Sequence, residues 1–188
     1  MKVSDTPGGD SVVAYVITGN GRAEYEILPP LAKKYNGKKT LLFQKTPIPR
    51  KITGLKVLRS IKVVHKISGC TTYLVLLDRE HFTDFKLKEI SSKIFGEYKI
   101  EGNNPYSITA HNFRIILVIL GDKKCIEENI AHLIFLEFNE RIEPEKGAIR
   151  KFLRESKIKK RSKLIEIASK ENLEIAFNSL VKALEMLE

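Results

Sequence analysis

Three stretches of this chain are apolar or β-branched at consecutive positions rather than at alternate ones. They cover 12–17 (Val12 to Ile17), 72–77 (Thr72 to Leu77) and 113–120, where only Arg114 interrupts. A strand covered by helices on both faces has no solvent side to keep polar, so these runs predict interior strands of a parallel sheet. Shorter strands are predicted over 40–44 and 98–100. From 54 to 67, Leu55, Leu58, Ile61, Val64 and Ile67 recur at every third position beside Val57 and Val63, which predicts one helix with a buried face, ended by Gly69. A further helix is predicted over 22–28, checked by Pro29-Pro30 and then continued or restarted over 31–35; another runs from 83 to 95. Beyond Gly121 the pattern is helical, over 126–138, 144–156 and 163–187, with a break near Glu171-Asn172. Strands alternating with helices and followed by a helical end predict an α/β fold of three layers. Its mostly parallel sheet would have four to five strands, with a helical C-terminal extension. The length of 188 residues suits one domain, with an α/β core over 1–122 and a basic helical segment over 123–188 packed on it.

Charge adds a partner to this picture. Lys+Arg number 33 against 23 Asp+Glu, a formal net charge of +10, which favours polyanions and makes nucleic acid, DNA or RNA, the expected partner. Lys-rich solvated faces, and the Lys and Glu enrichment of hyperthermophile proteins, give the same composition. Cys70 and Cys125 lie far apart without a CxxC, so neither a disulfide framework nor a structural zinc site is indicated, and a reduced intracellular compartment follows. The first eleven residues, with Pro7, Gly8 and Gly9, do not read as a signal sequence, and no apolar run is as long as a membrane span. A soluble cytoplasmic protein is expected, with no membrane contact.

Two predicted strands end in polar loops that enter helices. In an open parallel sheet such loops form the crevice where ligands bind, which singles out Thr18-Gly19-Asn20-Gly21 and Asp78-Arg79-Glu80-His81. If the strand persists to Glu80, Asp78 and Glu80 point to one face and can share Mg²⁺ or Mn²⁺, cations that take oxygen ligands. In the other reading Asp78 ends the strand and caps the next turn, while Glu80 is simply exposed. Gly19, Asn20, Gly21 and Arg22 suit a phosphate-cradling turn at a helix N-terminus, although neither a Walker A sequence nor the dinucleotide-binding glycine pattern is present. As structure alone they make a tight strand-to-helix turn. Residues 45–51 read as an exposed basic loop.

The densest charge lies in Lys146, Arg150, Lys151, Arg154, Lys157, Lys159, Lys160, Arg161 and Lys163, a stretch whose one acidic residue is Glu155. If helical, Lys146, Arg150 and Arg154 share one face, as do Lys157 and Arg161. Such a face neutralises phosphates with strong salt dependence, or is a solvated helix and linker. His65, His111 and His132 have no metal-binding spacing and read as structural or surface groups. Leu173, Ala176, Phe177, Leu180, Leu184 and Leu187 form an apolar stripe that serves either packing on the domain or an interface with a second copy or a partner helix.

Asn20-Gly21-Arg22-Ala23-Glu24 after the first strand, a helix containing Leu28-Pro29-Pro30-Leu31, and Leu76-Leu77-Asp78-Arg79-Glu80-His81 after a later strand together resemble the Toprim domain of topoisomerases, primases and OLD-type nucleases. That family carries a Glu-Gly turn after its first strand and Asp-x-Asp after a later one, and its nuclease-like branch extends the first motif to Glu-Gly-x-x-Glu. Here Asn20 stands at the first glutamate, Gly21 at the glycine, Glu24 at the later acidic position, Asp78 at the first aspartate and Glu80 at the second, in order over 11–120. The resemblance implies a Toprim or Rossmann-like sheet and Mg²⁺-dependent phosphodiester cleavage. Glu24, Asp78 and Glu80 would hold the cation, which polarises a phosphate or activates water. Asn20 is then a degenerate general-base position, because an amide ligates a cation weakly but transfers no proton. His81 is a base or phosphate contact, or else a residue at a helix entrance. Two other functions fit the same chain. One is a catalytically silent Toprim-like nucleic-acid-binding or scaffold module; the other is an α/β enzyme for a small phosphorylated molecule, with a closed pocket at the Gly19 turn.

Overall fold

A computed structural model of the chain describes residues 1–6, 12–19, 22–35, 39–44 and 52–187. Strands β1 (Lys2–Ser4), β2 (Val12–Thr18), β3 (Thr40–Leu42), β4 (Thr72–Asp78), β5 (Lys99–Glu101), β6 (Tyr106–Ala110) and β7 (Phe113–Leu120) form one seven-stranded sheet, in the order β1-β3-β2-β4-β7-β6-β5. The strands from β1 to β7 in that order run parallel, and the β5–β6–β7 edge is antiparallel. The helices are α1 (Arg22–Lys34), α2 (Ile61–Ser68), α3 (Asp84–Phe95), α4 (Ile126–Phe138), α5 (Lys146–Glu155), α6 (Arg161–Ile167), α7 (Lys170–Ala176) and α8 (Asn178–Glu185).

Successive side chains of the interior strands point to opposite faces, and both faces are covered. Ala14, Val16, Leu74, Leu76, Ile116 and Val118 pack with Leu28 of α1, Ile130 of α4 and apolar residues of α5 to α8. Tyr15, Ile17, Tyr73, Val75, Ile115 and Leu117 pack with Leu55, Leu58, Val64 and Leu87 on the other side. This is the three-layer α/β arrangement expected, and the double burial explains why β2, β4 and β7 lack alternation. The C-terminal helices share a core with α1 and the sheet, and the stripe from Leu173 to Leu187 is buried within this chain. Among the described residues, no helix is long and apolar enough to cross a membrane.

Several elements differ from the sequence expectation. The sheet gains β1 and β6 over the strands predicted. β6 does alternate, with Tyr106, Ile108 and Ala110 buried between the less buried Ser107 and Thr109. Residues 54–67 are not one α-helix but a 3₁₀ helix, Gly54–Ser60, running into α2. Three residues per turn is the period of a 3₁₀ helix, so the spacing of Leu55, Leu58 and Ile61 fits it directly. By α2 the stripe has rotated outward, leaving Ile67 65 % exposed. α1 continues through Pro29 and Pro30 instead of stopping. The break expected near Glu171 falls earlier, at Ala168-Ser169, where the Ser169 side chain accepts the Asn172 backbone N–H and caps α7; a second break follows at Phe177.

Candidate functional site

The chain passes from β2 through α1 to β3 on one side, then back past β2 to β4. Strand order therefore reverses between β2 and β4, and the crevice of an open α/β sheet lies at their carboxyl ends. β2 ends at Thr18 and β4 at Asp78; Asp78 is paired in register with Leu120, the last residue of β7. Asn20 and Gly21 fall outside the described residues, as do 45–51 and the side chain of Arg22. Gly19 is described: a Cβ on it would lie 3.3 Å from the Gly54 backbone nitrogen, and one on Gly54 would lie 3.1 Å from Cβ of His81. Gly54 also has φ +57°, which glycine adopts without strain. Gly19, Gly54 and His81 thus meet at this edge because two of them lack side chains.

The charge of Asp78 bears on Glu24 and that of Glu80 on Asp78, yet the three carboxylates differ in exposure. Glu24, in the first turn of α1, is only 4 % exposed. Its carboxyl is pushed up to about 7, first by burial and then by the negative charges of Asp78 and Glu127; a hydrogen bond to its own backbone N–H and the Lys146 ammonium oppose the rise. Asp78 is raised as well, mainly by burial, although its Oδ1 accepts the Ile126 N–H at 3.1 Å. The strand ends at Asp78, and Arg79–His81 is a 3₁₀ turn, so the two-residue alternation that would align Asp78 with Glu80 is lost. Glu80 faces outward, with its carboxylate 3.3 Å from Nε2 of His81 and half of its side chain exposed. Its backbone N–H donates to the Lys124 carbonyl at 2.9 Å, which ties the β4 turn to the loop after β7.

That third loop supplies a carboxylate the motif did not name. Glu127, in the first turn of α4, is buried and paired with Arg161 at 3.1 Å, with side-chain exposures of 4 % and 11 %. Cys125 beside it has its thiol pushed up to about 11, by burial first and then by its hydrogen bond with Glu127, which keeps it a thiol at neutral pH. The loop itself is held rigidly. Glu128 accepts the N–H groups of Asp122, Lys123 and Lys124 at 2.7, 2.8 and 3.1 Å, and Asn129 accepts that of Gly121 at 2.7 Å. Gly121 has φ +78°, and a Cβ there would lie 2.5 Å from the Cys125 carbonyl oxygen, so no larger residue fits. Strand-end reasoning extended to β7 would have pointed here, since a third apolar run also ends at a glycine before a helix.

Glu24, Asp78 and Glu80 sit in different surroundings. Glu24 is buried close to neutrality, Asp78 engages the α4 backbone, and Glu80 faces His81 in solvent. Among the described residues no group of three or more His, Cys, Asp or Glu is arranged to hold a cation.

The basic stretch divides. Arg150 and Arg154 on α5, with Lys157 and Lys159 in the turn beyond it, line an open cleft of about 850 Å³ floored by Leu153 and Ile158. These four side chains are exposed and make no ion pair among the described residues. Lys160 is exposed as well, and Lys151 lies 4.0 Å from Glu155. Arg161 instead points inward to Glu127. It does not share a helical face with Lys157, because α5 ends at Glu155 and α6 begins at Arg161. Of the histidines, His65 and His111 bond the carbonyls of Cys70 and Phe95 at 2.9 and 2.8 Å, while His132 is exposed.

Fold and site together define an open-sheet α/β protein with buried carboxylates in the helix turns that follow its strands and a cationic cleft on the C-terminal helices. Models of known protein families, curated proteins and solved structures include none that this chain matches.

Proposed function

We propose that this chain is a Toprim-like nucleic-acid-binding protein that grips the phosphate backbone in the cleft between α5 and the turn at 157–159. One observation carries this reading: Arg150, Arg154, Lys157 and Lys159 converge on one cleft with their charges unneutralised by any described carboxylate. Unpaired cations lining an open groove attract polyanions and release their counter-ions on contact. Leu153 and Ile158 line the same cleft and offer apolar surface to the arginine and lysine stems. The Toprim resemblance and the net charge of +10 point the same way. Buried Glu24 and half-buried Asp78 act in this reading as parts of the strand-end frame, and no catalytic step is assigned to a cation.

Fluorescence anisotropy with labelled single-stranded and duplex oligonucleotides tests the proposal. Binding is expected to weaken steeply with salt, and Arg150→Ala with Arg154→Ala should reduce the log–log salt slope by about one for each phosphate that is no longer neutralised. Asp78→Ala and chelation should leave affinity unchanged. Cleavage with Mg²⁺ or Mn²⁺ that disappears in Asp78→Ala would replace this reading with the nuclease one. Unaltered affinity in the double arginine variant would remove the cleft from the account.

A further inference from the structure

We infer that a second, smaller pocket at the end of β7 binds a single phosphate group through Arg79. The pocket has about 250 Å³ and lies between the β4 turn, the Gly121 loop, α4 and the start of α8. Arg79 is its one lining arginine, and the Nε atom is buried with no hydrogen-bond partner. The guanidinium stacks over the Phe82 ring at 5.6 Å and makes no ion pair with a described residue. A guanidinium is permanently charged and carries five donors in a planar fork that suits a tetrahedral oxyanion. Burying one of its donors unpaired carries the cost of desolvation, which an incoming acceptor relieves.

The acidic neighbours do not fill that role. Glu128 is engaged by three backbone N–H groups, and this anchoring holds its carboxyl below the usual range despite partial burial. Asp84 accepts the Tyr106 hydroxyl at 2.7 Å. Asp122 is exposed on the rim. The amides of Asn104 and Asn129 are both engaged, with Ile119 and with Gly121 and Ala176. His132, Asn178 and Ser179 remain on the lining with side chains that bond no described residue, so a phosphate held by Arg79 finds further donors around it. A cavity of about 250 Å³ admits a phosphate group together with a small organic remainder, so the ligand is inorganic phosphate or a small phosphomonoester. This site is separate from the cleft on α5 and does not depend on it.

Isothermal titration of the whole chain with inorganic phosphate, and separately with ribose 5-phosphate, tests the inference. One saturable site is expected, weakened about tenfold or more in Arg79→Ala and less in Arg79→Lys, which keeps charge but loses the fork. The Arg150→Ala, Arg154→Ala variant should bind the small anion as the unaltered protein does, which separates this site from the nucleic-acid cleft. Tighter binding of ribose 5-phosphate than of phosphate identifies a phosphomonoester as the ligand; equal binding identifies the free anion. Should Arg79→Ala fail to fold, the Arg79 Nε–H resonance of the unaltered protein decides, since it must shift on titration. An unmoved resonance, the absence of saturable binding, or loss of binding only in the cleft variant overturns the site.

Discussion

Two adjacent parts of the molecule treat charge in opposite ways. At the strand-end edge Glu24, Glu127 and Arg161 are withdrawn from water, and Asp78 is partly so. Each carboxylate there has a neighbour that accounts for it: the Ile126 N–H, the Arg161 guanidinium or a retained proton. On α5 and the turn beyond it, Arg150, Arg154, Lys157 and Lys159 stand in solvent without partners. Lys160 and Arg161 are consecutive in sequence yet fall on either side of this divide. A run of like charges therefore does not define one surface; whether a carboxylate waits beneath the chain decides which members face outward.

Breaking the buried pair gives the largest expected effect. Arg161→Ala leaves Glu127 buried and unpaired, which should destabilise the fold by about 3–5 kcal/mol, measured by urea unfolding at neutral pH. Replacing both partners, Glu127→Leu with Arg161→Met, should recover most of that loss, because the desolvation penalty leaves with the charges. A loss below about 1 kcal/mol in Arg161→Ala would mean that water reaches the pair and that the divide is one of degree.

Protonation sharpens the same contrast. The folded Glu24 carboxyl titrates at about 7 against 4.5 for an ordinary glutamate. Below 4.5 both the folded and unfolded chains hold this proton. Between 4.5 and 7 only the folded chain holds it, so its stabilising contribution is lost as pH rises across that window. The shift sets the fall at up to about 3 kcal/mol, followed by a plateau. Asp78, also raised, acts in the same direction, whereas Glu128, held low, contributes stability that is lost as pH falls through its own folded pKa. Glu24→Gln keeps the shape and removes the proton, so urea midpoints from pH 5 to 8 should become flatter. An unchanged slope would show that Glu24 ionises freely.

The fold was more legible than the site. β2, β4 and β7 could be read because complete burial leaves consecutive apolar residues, and that pattern depends on nothing distant. β6 could not, because Ser107 and Thr109 interrupt a short strand just after a turn signature. The period of three across 55–61 was visible but fits two helix types, and only packing separates them. Within the site, Asp78 stands at a recognisable strand end, whereas Glu24 was singled out only through the Toprim resemblance. Glu127 was hidden because Glu127-Glu128 looks like an ordinary acidic first helical turn. Of the two, one is buried on Arg161 and the other caps a loop, a difference made by α6, whose first residue lies 34 positions away from Glu127. Arg79 is the converse case, a residue inside a recognisable strand-end motif whose surroundings become visible only when α4 and α8 close around it.

The smallest effect provides the control for the largest. Lys151 and Glu155 are also a cation and a carboxylate on the C-terminal helices, at 4.0 Å and i,i+4 spacing, but with side chains 70 % and 62 % exposed. A double-mutant cycle through Lys151→Ala and Glu155→Ala should give a coupling of about 0.3–0.5 kcal/mol that fades with added salt. The same cycle on Arg161 and Glu127 should give several times more and hardly change with salt, because water and ions are excluded there. If the two couplings are equal, burial is not what sorts the charges of this chain, and the unpaired state of the cleft cations loses its value as a sign of a binding surface. If they differ as expected, the cations left in water are those the fold itself does not need, which leaves them available for a polyanion.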